Sequence, residues 1–193
     1  MNRGDMNFNE RSFSFLKKQY LCRLKQWRNE QMDVLRQNRP LTDADQKKWF
    51  KCMQTDKSQA VFSILAEDRP KLQFIGYCGL TNIDYVNRRG EISFLLDPLR
   101  VKEKALYRAD FISALYVLCR YGFEKLNLHK IYAETYIFRG WHIKILDEFG
   151  LKRGGKLREH KFIGDKFWDS VIHSVLKNEW TKIKKRINNE VAK

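Results

Sequence analysis

The stretch Tyr121-Gly122-Phe123-Glu124-Lys125-Leu126-Asn127-Leu128-His129-Lys130-Ile131 decides how the chain is built. Before it, Phe111, Leu115, Leu118, Cys119 and Leu126 recur on one helical face, which predicts the longest helix of the chain over about 104–126. After it, residues 130–136 alternate as a strand does. A long amphipathic helix that runs directly into a strand, with further strands on both sides in sequence, is an α+β pattern.

On the N-terminal side, Phe13 and Phe15 supply a short first strand, and Tyr20, Leu21, Leu24 and Trp27 follow at helical spacing. Thr42 reads as the N-cap of a second helix, with Asp43 and Asp45 beside the positive end of its dipole and Trp49, Phe50 and Met53 on its buried side. Residues 60–66 and 72–80 form a predicted hairpin about the turn 67–70, with Gly76 and Gly79 weakening its second strand. The turn 84–90 leads to a fourth strand, 91–96, which Asp97-Pro98 ends because proline has no donor for the ladder.

On the C-terminal side, an amphipathic helix over about 141–149 stops at Gly150, and strands 152–162 and 167–176 follow around Gly164-Asp165. In the tail 178–193, Trp180, Ile183, Ile187 and Val191 share one face of a basic helix, which is expected to pack on its own domain. The order is strand, helix, helix, three antiparallel strands, long helix, strand, helix and two strands. That makes a seven-stranded mixed, mostly antiparallel sheet in a single domain, 1–193.

With 193 residues, 43% hydrophobic and 13% aromatic, the chain can close one core. Residues 1–10 carry no apolar run like a signal peptide, and no segment approaches the roughly 20 apolar residues of a spanning helix, so a cytoplasmic location is expected. Cys22, Cys52, Cys78 and Cys119 make no CxxC pair and read as reduced core thiols, and no metal cluster is visible. The net charge of +15 attracts phosphate of some kind. Basic residues cluster only at Lys182, Lys184, Lys185 and Arg186 and no nucleic-acid motif accompanies them, so nucleic acid is possible but not favoured.

Several phrases recur in fixed order: Trp27-Arg28-Asn29, Gly90-Glu91-Ile92-Ser93-Phe94, the stretch 121–131, Ile145-Leu146-Asp147-Glu148-Phe149-Gly150-Leu151, residues 157–166 and residues 169–176. Over about 13–180 this resembles the GNAT superfamily, in the branch of ribosomal-protein N-terminal acetyltransferases and nucleotide-amino-sugar N-acetyltransferases. The resemblance implies a sheet splayed between the fourth and fifth strands, with acetyl-CoA in the cleft along Ile92, Ser93, Phe94, Leu95 and Leu96. It also implies a glycine-rich turn for the cofactor's pyrophosphate. This chain has Arg100-Val101-Lys102-Glu103-Lys104-Ala105-Leu106-Tyr107-Arg108-Ala109 there, and Lys102, Lys104 and Arg108 are the candidate phosphate cations, against an ordinary solvated helix start.

Where relatives have an asparagine and, three residues on, a serine or alanine, this chain has Arg139 and His142; where many carry a general-acid tyrosine it has Leu146. Acyl transfer to an amine needs a base, a polarised carbonyl and a proton for the leaving thiolate. Glu91 stands where several relatives carry a base, although pairing with Arg88 or Arg89 would also explain it. His142, at a helix start whose N–H groups would keep it neutral, is the candidate acid or substrate contact, and Arg139 an alternative contact for CoA phosphate. Arg28, Asn29, Arg36, Arg158, Glu159 and His160 are the candidate acceptor-binding residues, with Arg39 adding charge to the first loop.

The expected function is acetyl transfer from acetyl-CoA to a primary amine, preferably a phosphate-bearing, nucleotide-linked amino sugar, by a monomer or homodimer. The alternatives are acetylation of a protein N-terminus and a GNAT-shaped binder of nucleic acid or an acidic partner without catalysis.

Overall fold

The computed structural model describes residues 5–68 and 71–191. Its strands are β1 (Met6–Phe8), β2 (Arg11–Phe15), β3 (Ala60–Asp68), β4 (Lys71–Asp84), β5 (Arg89–Leu96), β6 (Lys130–Tyr136), β7 (Lys152–Ile163) and β8 (Lys166–Leu176). Its helices are α1 (Leu21–Glu30), α2 (Asp43–Thr55), α3 (Pro98–Lys102), α4 (Lys104–Arg120), α5 (Gly140–Phe149) and α6 (Lys177–Val191). The strands form one sheet in the order β1-β2-β3-β4-β5-β6-β8-β7, in which the β5–β6 pair is parallel and the others antiparallel.

The sheet has eight strands among the described residues rather than the expected seven. The added β1 pairs Met6 with Phe13 around a turn in which Asn9 and Glu10 both take positive φ. That is the backbone a two-residue hairpin requires, reached here without glycine. Phe8 stacks on Tyr116 of α4 at 3.9 Å, which anchors the short strand.

Alternation along the strands sends side chains into two separate cores. Leu24, Trp27 and Phe50 from α1 and α2 meet Phe74, Tyr77 and Leu95 on one face. Phe111, Ala114, Leu115 and Leu118 from α4, with Ile145, Leu146 and Phe149 from α5, meet Ile64, Cys78, Leu80, Leu96 and Ile131 on the other. Thr42 caps α2 as expected, and Asp45 closes a reciprocal capping box with it. Gly76 does more than weaken β4: a Cβ there would lie 2.2 Å from the Leu95 carbonyl oxygen, so glycine sets how closely β5 approaches.

Three local expectations need correction. The long helix is divided: α4 ends at Arg120 and Tyr121–Lys125 winds as one π-helical turn. Cys78 and Cys119 are core thiols but Cys22 and Cys52 are exposed, because they fall on the solvent sides of α1 and α2. In α6, Trp180, Ile183 and Ile187 are buried, with Trp180 against Tyr116 and Phe123, whereas Val191 lies at the helix end and is exposed. Arg69 and Pro70 of the expected 67–70 turn lie outside the described residues. Among the described residues no helix is long and apolar enough to cross a membrane.

Candidate active site

The parallel ladder between β5 and β6 is short: Arg89 faces Lys130, Gly90 faces Ile131, Glu91 faces Tyr132, and no further pair forms. Beyond Glu91 the strands part, and Ile92–Leu96 keeps its strand partner only on the β4 side. The gap opens into a cavity of about 220 Å³. Ile92, Ser93 and Phe94 form one wall, and Ala133, Glu134, Thr135 and Tyr136 the other. Arg28, Arg36, Tyr77, Arg139 and His142 also reach it. The expected splay between the fourth and fifth strands is therefore the gap between β5 and β6.

On the α1–α2 side, Glu91 is 6% exposed and lies at the closed end of the gap. Its Oε2 accepts from Asn82 Nδ2 at 2.8 Å. Asn82 reaches it because β4 shifts register between Thr81 and Asp84 and Asn82 itself takes a positive φ, a bulge that re-aims one side chain. Glu91 Oε1 accepts from Arg36 Nη2, and the same nitrogen donates to Glu134 Oε2 at 2.9 Å. The partner of Glu91 is thus Arg36, brought in by the loop after α1, and not Arg88 or Arg89; Arg89 pairs with Asp84 at 3.4 Å.

On the α4–α5 side, His142 occupies the first turn of α5 and stacks on Phe111 at 4.2 Å. Its Nδ1 lies 2.6 Å from the hydroxyl of Tyr107, which also accepts from Arg139 Nη2 at 3.2 Å. In the Nε2–H tautomer of the neutral imidazole, Tyr107 donates its phenolic proton to His142 Nδ1 while accepting from Arg139. Burial holds the His142 pKa well below the usual histidine value, with Arg139 and His173 acting in the same direction. The neutral imidazole matches expectation, but its main cause is burial rather than the helix end. Burial also raises the Tyr107 pKa, opposed by the Arg139 charge, so this phenol is protonated at neutral pH.

At the outer end of the cleft, the chain leaves helical conformation at Glu103, between α3 and α4. Tyr107 N–H bonds the Glu103 carbonyl, so the amides of Lys104, Ala105 and Leu106 precede the first intrahelical donor, and α4 has no side-chain N-cap. Lys102 and Lys104 flank this end and are exposed, with Lys104 Nζ 5.9 Å from the Trp141 ring centroid. Arg108 is already paired with Glu148 at 2.9 Å. Open amides and two lysines suit a phosphate group without glycine.

Of the remaining candidates, Arg28 lines the cavity and lies over the Trp49 ring at 5.5 Å. Leu95 and Leu96 are buried in the two cores, so they face the cleft only through their backbone. Asn29 turns away from the cavity and braces the loop after α1, bonding both backbone groups of Leu41 that it can reach and the Gln37 side chain. Arg158 and Glu159 lie exposed on β7 and do not line the cavity; the amide of Glu159 bonds Asp169. His160 alone of that trio approaches it, with Nε2 3.4 Å from Glu134 Oε1.

Asn82, Tyr107 and Glu134 of the site escaped the sequence reading. Tyr107 falls in register with Phe111 on α4, so a hydroxyl was aimed at the same face as the apolar stripe. Glu134 shares one face of β6 with Tyr132 and Tyr136, an acid in the middle of a buried strand. Those patterns were the available signals.

An acetyltransferase (GNAT) domain model matches residues 14–172. The chain is 31% identical over 120 residues to an uncharacterized N-acetyltransferase, p20, of Bacillus licheniformis; the match covers 62% of this chain and 63% of that relative's length. Among solved structures, spermidine N-acetyltransferase from Vibrio cholerae in complex with CoA and spermine superposes with a TM-score of 0.79 at 20% identity, over 89% of this chain and 98% of that one. The spermidine/spermine N-acetyltransferase of the same organism with manganese ions gives 0.72 at 22% identity, over 90% and 96%. At such identities the structural likeness speaks for the fold. Since the family model runs unbroken from β2 into β8, the chain belongs to the GNAT acetyltransferase family, whose members take their acyl group from acetyl-CoA.

Proposed function

We propose that the chain is an N-acetyltransferase that acylates the primary amine of a small acceptor, with the acceptor entering on the α1–α2 side of the β5–β6 gap and the donor on the α4–α5 side. The observation that carries this reading is the parting of the strands immediately after Glu91, which leaves a buried carboxylate at the closed end of an otherwise unpaired strand edge.

Acetyl-CoA supplies the acyl group as a thioester. The residues suited to hold it are Ile92–Leu96 through their free backbone edge, the α4 amides 104–106, and Lys102 and Lys104 at the phosphates. Glu91 takes one proton from the acceptor nitrogen, which frees the lone pair that forms the new N–C bond. As the C–S bond breaks, His142 Nε2 gives one proton to sulfur and Tyr107 replaces it at Nδ1, leaving the phenolic oxygen facing the Arg139 guanidinium. Between ammonium and amide the nitrogen loses two protons, one to Glu91 before attack and one to solvent as the amide forms, while the leaving thiolate takes one and Tyr107 regains its own from solvent, so one proton is released overall.

For the acceptor, Arg28 and Arg36 line the cavity on the α1–α2 side and favour an amine that also carries an anion, which supports a nucleotide-linked amino sugar. A polyamine is the second reading. Glu91 and Glu134 together support it, as does the fold likeness to an enzyme named for spermidine. Calorimetric titration with acetyl-CoA, followed by thiol release with nucleotide-linked amino sugars, polyamines and short peptides, tests the proposal. Saturable acetyl-CoA binding with turnover of one amine class is the expected result. Absence of acetyl-CoA binding would remove the enzyme reading and leave a binding protein of GNAT shape.

A further inference from the structure

One nitrogen, Arg36 Nη2, donates to Glu91 Oε1 and to Glu134 Oε2 at once. The other two carboxylate oxygens have partners of their own: Asn82 Nδ2 is 2.8 Å from Glu91 Oε2, and His160 Nε2 is 3.4 Å from Glu134 Oε1. The pair of acids is therefore complete except for a single cationic nitrogen lying between them. The exposures are unequal. The Glu91 and Glu134 side chains are 7% and 12% exposed, whereas that of Arg36 is 53% exposed and comes from the loop between Val34 and Thr42. The acids belong to the sheet; the cation is the part that can leave.

We propose that the place of Arg36 Nη2 is the binding place of the acceptor's ammonium, and that Arg36 is a built-in occupant which each acceptor must displace. This rests on the amine-acetyltransferase reading above and deepens it. An ammonium at this point meets both carboxylates, and Glu91 Oε1 is then the atom that takes its proton. Displacement has a specificity consequence. A plain amine gains two acidic contacts and sets a guanidinium loose. An amine carrying an anion gains the same contacts and re-engages the freed guanidinium through its anionic group. Arg36 thereby discriminates against amines without an anion. Removing it relaxes that discrimination rather than abolishing binding.

Methylguanidinium, which reproduces the end of the missing side chain, is the probe that does not depend on turnover. Saturation-transfer NMR is expected to detect it on Arg36→Ala, with binding about tenfold or more weaker on wild type and on Arg36→Ala/Glu134→Gln, the worth of one charge-assisted hydrogen bond. Equal binding to all three proteins overturns the proposal. In steady-state assays, Arg36→Ala is expected to lower the KM for spermidine and shift kcat/KM toward it, relative to a nucleotide-linked amino sugar, by about tenfold. A raised spermidine KM means that Arg36 holds the acceptor directly, and it overturns the idea of an occupant. Arg36→Lys, which keeps a cation on a shorter reach, is expected to fall between wild type and Arg36→Ala. If wild type binds acetyl-CoA but acetylates no amine, the function reading fails while the methylguanidinium result still decides whether Glu91 and Glu134 together hold a free cation once Arg36 is gone.

Discussion

Tyr107→Phe separates a proton-supplying role from a packing role for the buried network beside the cleft. The substitution keeps the ring against Phe94 and Phe111 and removes the oxygen that lies 2.6 Å from His142 Nδ1 and 3.2 Å from Arg139 Nη2. His142 Nδ1 then stays buried without a partner, which costs ~1–3 kcal/mol. For a domain of this size that lowers Tm by roughly 2 to 12 °C. The kinetic effect is distinct: general acids contribute about 10²- to 10⁴-fold. Tyr107 stands one bond behind the donating nitrogen, so a loss of kcat of about ten- to a hundredfold is expected, at the low end of that range. The KM for acceptor should stay within about twofold, because no acceptor contact is removed. Scanning calorimetry and thiol-release kinetics on one preparation measure both. A variant with the expected fall in Tm and an unchanged kcat would refute the relay, leaving Tyr107 a packing residue with a satisfied hydroxyl.

Stability should fall with acid below pH 6.5. Burial lowers the pKa of both His142 and His173, so in that window the unfolded chain binds more protons than the folded one, and each histidine contributes a slope of about 1.4 kcal/mol per pH unit until its folded pKa is reached. Urea titrations at pH 7 and pH 5.5 on wild type and His142→Gln check this, and equal losses would exclude His142 as a source. Lys102→Ala/Lys104→Ala should weaken acetyl-CoA about tenfold in calorimetry and leave the affinity for dephosphorylated pantetheine fragments unchanged. Asp110→Ala should destabilise by ~3–5 kcal/mol in urea, because Arg11 and Arg100, both within 3.0 Å of that fully buried carboxylate, lose their shared partner.

The order of elements was legible because most boundaries carry local chemistry: Thr42 and Asp45 at the start of α2, Asp97-Pro98 after β5, Gly150 after α5. β1 was not, since three residues of MNF carry no period, and what holds them is Phe8 against Tyr116, more than a hundred residues away in sequence. The site divides in the same way. Glu91, Arg28, Arg139 and His142 were singled out by the resemblance to the GNAT superfamily and Arg36 by the charge of the loop after α1, and all five line the cavity. The link from Arg36 to Glu134, and from Tyr107 to His142, joins elements that only the folded sheet brings together. The α5 position at which the resemblance implies a tyrosine holds Leu146, which is fully buried, while the phenol that meets His142 reaches it from α4 across the helix interface.

The start of α4 shows how an anion-binding geometry can arise without a glycine motif. Glycines before a helix serve phosphate by letting bare amides approach it. Here the chain departs from the helix at Glu103 with φ −91° and ψ 95°, values that an ordinary residue adopts without strain, and α4 restarts at Lys104. The restart alone releases the amides of residues 104–106, and no acidic residue in the first turn of α4 competes for them. Side chains that would crowd a glycine nest point outward as Lys102 and Lys104 and add charge at the same place. On the proposed reading the donor's anionic end is met by amide dipoles and cations together, and the loss of either set should weaken binding without abolishing it.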